Sequence, residues 1–217
     1  MRVLALDTTT VRGSLALFED EELRAEVRVT APEGHSVWIF PAMEAVLTAF
    51  GLGPGDLDGL AVTLGPGSFT GVRVGVAAIQ GLAAGTGTAC LGFSALDVLA
   101  SLAPPGPKVA LMDAWRNEVY AGVYDGGTPL GSPYAGPLEG LAGMMPARPV
   151  FVGDGVHRYG ERIRELWPGA SLPETDLFLA APLGRVAVGR FREGGSSGPE
   201  SLSPLYIRGV DIRLPSQ

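Results

Sequence analysis

The stretch Leu60–Ala84, LAVTLGPGSFTGVRVGVAAIQGLAA, constrains this chain more than any other. The short apolar run Gly59–Leu64 reads as a buried strand. A turn of Gly65, Pro66 and Gly67 follows, with Ser68 and Thr70 as candidate helix caps. From about Thr70 to Ala84 the pattern is helical. Gly71, Gly75, Ala78 and Leu82 form one stripe, and Val72, Val76, Ile79 and Ala83 a second beside it. Such a helix has more apolar surface than one sheet covers, and a glycine stripe invites another backbone. The expectation is packing on two sides, with Gly71, Gly75, Ala78 and Leu82 meeting a partner chain.

Strand, glycine-rich turn and helix N-terminus is also anion-binding geometry. Walker A requires Lys next to its final Gly, but Val72-Arg73 follow Gly71. A dinucleotide fingerprint has two residues between its second and third glycines, whereas Ser68, Phe69 and Thr70 separate Gly67 from Gly71. Pro66 removes a backbone donor that a phosphate would use. A tight turn that lets the helix pack closely accounts for the same residues.

With 217 residues, the chain holds one large domain or two small lobes. A net charge of −7 argues against autonomous binding to nucleic acid or an anionic membrane. The sole cysteine, Cys90, excludes an internal disulfide and fits a cytoplasmic home. MRVLALD reaches an acidic residue too soon for a signal peptide, and no apolar run is long enough to span a bilayer.

In chain order, Arg2–Leu6 is a strand ending at Asp7 and Thr8-Thr9-Thr10, followed by strands Ser14–Phe18 and Leu23–Val29 around a turn at Glu19–Glu22. Three antiparallel strands with a carboxylate and hydroxyls in the first turn suit an actin-like ATPase lobe, whose first hairpin holds phosphates. Thr8 and Thr9 stand where such a hairpin has glycine, and the same residues suit an Asx or Ser/Thr turn. His35 is a capping or hydrogen-bonding residue before a helix Val37–Phe50 capped by Ser36, with Val37, Phe40, Val46, Leu47 and Phe50 among its apolar positions. Thr88–Phe93 is a strand, and Ser94 caps a helix to about Leu102. After the linker Ala103–Pro107, the opening repeats: Lys108–Met112 ends at Asp113 and Glu118–Tyr124 returns. Tyr134–Pro137 reads as loop, Leu138–Met144 as a short helix, and Val150–Val152 as a strand into Gly153-Asp154-Gly155. Helices follow over Val156–Trp167 and from Asp176 to Phe191, then a Gly/Ser connector, Glu193–Pro199, and a helix-free segment Leu202–Leu214. The expected division is an N-terminal lobe over 1–103, a C-terminal lobe over 108–191, and a connector and tail over 192–217.

Several of these pieces together resemble one family. They are Leu4–Thr9, His35-Ser36, the run Gly65–Gly75 (GPGSFTGVRVG), Asp113-Ala114 with Glu118-Val119-Tyr120, Gly153-Asp154-Gly155 with Tyr159, and Pro204–Arg208. The chain resembles the TsaB (YeaZ) family, bacterial partners in making threonylcarbamoyladenosine at position 37 of tRNA. Trp115 departs from the Arg usual there, with Arg116 next to it.

The resemblance implies a two-lobed actin/Hsp70/sugar-kinase-like (ASKHA) α/β fold with duplicated mixed sheets. It implies a non-catalytic, dimerising subunit that supports TsaD, the threonylcarbamoyl transferase, with the small ATPase TsaE joining. A homodimer is expected when TsaD is absent, and tRNA is met only through the complex. No cofactor is implied beyond weak ATP or ADP binding in a vestigial cleft lined by Asp7, Thr8, Asp113, Gly153 and Gly155. The alternative is an ATPase or phosphotransferase acting in that cleft. The catalytic paralogue carries an HxxxH metal motif, but Leu91–Asp97 contains no histidine. With His35 and His157 in opposite halves, no metal site and no metallopeptidase are expected.

Overall fold

A computed structural model describes residues 1–207. Arg208 and the rest of the expected tail to Gln217 lie outside the described residues. The chain opens with β1 (Arg2–Asp7), β2 (Arg12–Glu19) and β3 (Glu22–Thr30), continues through α1 (Ile39–Ala49), β4 (Gly59–Thr63) and α2 (Phe69–Thr86), and reaches β5 (Cys90–Phe93) and α3 (Ala95–Ser101). Its second half runs β6 (Lys108–Asp113), β7 (Val119–Asp125), β8 (Thr128–Pro129), β9 (Tyr134–Gly136), β10 (Val150–Val152), α4 (Gly155–Leu166) and α5 (Ala180–Arg192).

The first sheet has strand order β3-β2-β1-β4-β5. β1 and β2 are antiparallel with Asp7 opposite Ser14, and β1 and β4 parallel with Leu6 opposite Val62. β3 alternates charged and apolar side chains, as a half-solvated edge does. The second sheet runs β10-β6-β7-β8, with β9 also on β7. β9 corrects the loop expected at Tyr134–Pro137: Tyr134 and Gly136 pair with Ala121 and Val119. Three residues are too few to show a period of two.

Side-chain alternation sorts the core into layers. Leu4, Leu6, Leu15, Leu17, Leu60 and Val62 pack under α1 and α2, while Val3, Ala5, Ala16, Phe18 and Ala61 face α3 and α5. Ala110, Met112 and Val152 of the second sheet join that same middle layer, and Val109, Leu111 and Phe151 face α4 on its far side. The two helices of the middle layer are exchanged relative to chain order. α3, from the first half, packs on β6 and β7, and α5, from the second half, packs on β1, β2 and β4. The expected division at the linker therefore follows the chain and not the packing.

α5 begins at Ala180, four residues beyond the expected start. Asp176 accepts from Phe178 N in a local turn, and Ala180 N donates to Ser14 Oγ at 2.9 Å. Gly184 leaves room for the Phe18 ring, which an added Cβ would strike. Gly184→Val is expected to cost about 1–3 kcal/mol by overpacking, read as a lowered urea midpoint.

α1 also starts late, because Ser36 does not cap it; Trp38 holds the cap position without a side-chain bond. Its buried residues are Ile39, Met43, Val46 and Leu47, whereas Val37 and Phe40, expected among its apolar contacts, are 80% and 59% exposed. Among the described residues no helix is long and apolar enough to cross a membrane.

Candidate functional site

The GPGSFTG run places α2 directly on the β1–β2 turn. Ser68 caps the helix by accepting from Gly71 N, and Ser68 N donates to Thr9 O at 2.7 Å. An added Cβ at Gly67 would strike Thr9, and one at Gly71 or Gly75 would strike Thr8. Thr8 Oγ1 donates to Gly71 O at 2.8 Å. These glycines serve close approach between two parts of one chain.

The expected partner-facing stripe is corrected accordingly. Gly71, Gly75 and Ala78 are buried by the chain itself, and of the four only Leu82 keeps partial exposure. The outward face of α2 runs instead through Thr70, Arg73, Ala77, Gly81 and Ala84. At its start Phe69 is 53% exposed, with the Arg73 guanidinium 3.5 Å from its ring centroid. Arg73 Nε also donates to Tyr206 OH at 2.8 Å, and Leu205 N to Leu64 O at 2.7 Å, so the Pro204–Ile207 motif fastens onto the start of α2.

Thr8 therefore lies outside the cleft. Successive side chains in a strand point to opposite faces, so Thr8 turns to α2 while Asp7 turns to the middle layer. Asp7 is fully buried, and its Oδ1 accepts from Thr9 N at 3.2 Å, Thr9 Oγ1 at 2.8 Å and Thr63 Oγ1 at 2.6 Å. Its Oδ2 is buried without a hydrogen-bond partner. Burial pushes the Asp7 carboxyl above its usual range, against the lowering effect of the Thr63 and Thr9 bonds.

Two of the turn's backbone donors are committed within it: besides Thr9 N, Arg12 N donates to Thr10 Oγ1 at 3.1 Å. His35 covers it from outside. Trp38 Nε1 donates to His35 Nδ1 at 3.0 Å, so the neutral ring carries its proton on Nε2 and donates it to Thr10 O at 2.7 Å. The Trp38 ring fills the space that a side chain at Gly13 would need. His35 thus fulfils its expected hydrogen-bonding role.

The second half only partly mirrors the first. Asp113 shares its strand face with Val109 and Leu111, toward α4, and not with the middle layer that Asp7 enters. Its Oδ2 pairs with Arg158 at 2.8 Å, and Oδ1 accepts from Trp115 N at 3.1 Å and Tyr159 OH at 3.4 Å. Gly153 and Gly155 bring the start of α4 onto Leu111, whose atoms a Cβ at either would meet. They are packing glycines, like Gly71 and Gly75. Asp7 and Asp113 therefore do not converge on one ligand.

Sequence reading carried Asp154 only within the run Gly153-Asp154-Gly155 and gave Arg12 no place in a site. Asp154 Oδ1 accepts from Asp113 N at 3.3 Å; burial raises its carboxyl, and the Arg12 charge lowers it. Arg12 is the first residue of β2 and Asp154 the N-cap of α4, so the charge of one half acts on a carboxyl of the other without an ion-pair contact. Neither belongs to a periodic pattern that would have marked it. Among the described residues, no three His, Cys, Asp or Glu side chains are grouped to hold a metal.

Comparison with known proteins fits this geometry. A family model described as TsaD, tRNA N6-adenosine threonylcarbamoyltransferase, matches residues 29–131. The tRNA threonylcarbamoyladenosine biosynthesis protein TsaB of Escherichia coli (strain K12) is 31% identical, over 96% of this chain and 95% of its own. YeaZ from Pseudomonas aeruginosa superposes with a TM-score of 0.78 at 29% identity, over 95% of this chain and 99% of the other. An ADPNP-bound dehydratase activator from Clostridium difficile, 11% identical, shares the ASKHA fold at a TM-score of 0.54, over 89% of this chain and 97% of its own. On full-length identity to TsaB and the fold it shares with YeaZ, this chain belongs to the TsaB (YeaZ) family.

Proposed function

We propose that this chain is a non-catalytic subunit of tRNA threonylcarbamoyladenosine synthesis, supporting a TsaD-type transferase. The observation that carries the reading is the closed first hairpin. Thr9 N and Arg12 N are committed within the turn, Thr8 is held by α2, and Trp38 and His35 cover the outside. A phosphate would have to displace these bonds to use those two donors, and would meet Thr8, His35 and Trp38 around the turn. Homology to TsaB supports the pathway.

The partner surface in this reading is the outward face of α1 and α2. Val37, Phe40 and Phe69 are large exposed apolar side chains, and Ala77, Gly81 and Ala84 further along α2 are small enough for a second helix pair to approach. The TsaD family model spans both helices, so a TsaD-type partner offers a related pair, and a second copy of this chain offers the same one. TsaE and tRNA are met through that assembly, in the cytoplasm, and the subunit needs no cofactor of its own.

Ala77 is exposed in the free chain, so Ala77→Glu leaves folding intact and puts a charge into the contact. Loss of homodimer and of TsaD binding is expected, an affinity drop of about a hundredfold or more for a buried unpaired charge. It is read by sedimentation and by reconstituted tRNA modification. Unchanged dimerisation and TsaD binding overturn the surface. ATP turnover by the chain alone, abolished by Asp7→Ala, overturns the non-catalytic reading.

A further inference from the structure

A groove of about 850 Å³ runs beside α3, from the outer edge of β5 to the β7–β8 turn, and its lining includes none of Asp7, Asp113 and Asp154. Its walls include Leu91, Phe93, Ala100 and Val186. Lys108, the first residue of β6, lines it. Lys108 is the only lysine in a chain that otherwise uses arginine, and it is 4% exposed. Nζ donates to Ala103 O at 3.2 Å, just past the end of α3. An ammonium has three donors, and among the described residues this one has no carboxylate at ion-pair distance. The bond to Ala103 O accounts for one donor and leaves a buried positive charge otherwise uncompensated among the described residues. The groove's other charges are engaged: Asp97 Oδ1 accepts from Tyr124 OH at 2.8 Å, and Arg190 pairs with Glu193 at 3.2 Å.

We propose that this groove binds a small molecule with an apolar body and a single carboxylate, which meets Lys108. One unpaired positive charge matches a monoanion, and Asp97 in the same groove disfavours a dianion such as a phosphate monoester. The apolar walls take the body of the ligand. The inference is independent of the partner surface on α1 and α2, so its failure leaves that reading untouched.

The test uses the full 217-residue chain, isotope-labelled for amide shifts, with hexanoate as the probe, hexanol as its uncharged counterpart and hexyl phosphate as the dianion. Hexanoate is expected to give saturable shifts confined to residues 91–108, 126–129 and 186–190, with hexanol and hexyl phosphate about tenfold weaker or more. Lys108→Met should weaken hexanoate by about tenfold or more and leave hexanol unchanged. Absence of saturable hexanoate binding, or equal binding by Lys108→Met, overturns the site. Hexyl phosphate binding as tightly as hexanoate overturns the carboxylate assignment. Should Lys108→Met fail to fold, the wild-type hexanoate-to-hexanol ratio decides: near one, the proposal falls.

Discussion

Gly75→Val is expected to unfold the first half of the chain, while Ala77→Glu two positions on leaves it folded. A Cβ at Gly75 would strike Thr8 Oγ1, the atom that donates to Gly71 O. Valine adds two methyl groups to that collision, and neither the buried β1–β2 turn nor the buried helix face can yield. Overpacking together with loss of the Thr8 bond puts the cost at about 3 kcal/mol or more, a large share of a typical domain's stability. Ala78→Glu should behave like Gly75→Val, because its carboxylate would enter the layer between α2 and the first sheet. Urea denaturation of the three variants checks the set. A Gly75→Val protein within about 0.5 kcal/mol of wild type would mean that α2 does not rest on Thr8.

Asp7→Asn is expected to match or exceed wild-type stability at neutral pH, and its advantage should grow as pH rises. Burial raises the Asp7 carboxyl in the folded chain above its unfolded value. A group raised in this way contributes stability that is fully present below the unfolded value, about 3.9, and lost as pH rises through the folded one. Asparagine cannot ionise, yet its carbonyl still accepts from Thr9 and Thr63. Asp7→Ala, in contrast, leaves both hydroxyls buried without this acceptor, at about 1–3 kcal/mol each. Denaturation of all three proteins from about pH 4 to about pH 8 reads the effect. Asp154 is also raised by burial and pulls the same way, so the comparison is repeated in an Asp154→Asn background. A wild-type advantage over Asp7→Asn that widened with pH would contradict the sign.

The longer strands, α2 and α3 were legible because their apolar patterns are clear and because Ser68 and Ser94 mark where the two helices start; the end of α2 at Thr86, with Gly87 as its cap, lies two residues past the expected Ala84. The direction in which α2 uses its glycines was not legible. A stripe of small residues looks the same whether it admits a partner's helix or the chain's own Thr8, and only the register of β1 against β4 decides. The aspartates show the same limit. Asp7 and Asp113 each close an apolar strand and read as equivalents, yet they fall on opposite sides of their sheets relative to the middle layer. In α1, Val37 and Phe40 match the apolar pattern by residue type but precede or flank the buried row that starts at Ile39. Hydrophobicity there marks a surface that water still reaches.

The exchange of α3 and α5 bears on what can be inherited or recombined. A crossover between two related genes at Ala103–Pro107 would look harmless, since it falls in an irregular stretch between two halves. It would nonetheless set a foreign α3 against the resident β6 and β7, and a foreign α5 against the resident β1 and β2. Both mismatches occur at once, in the layer that the two sheets share. Divergence of such a chain from its paralogues must therefore proceed by substitution along its whole length, and shuffling of halves is closed to it.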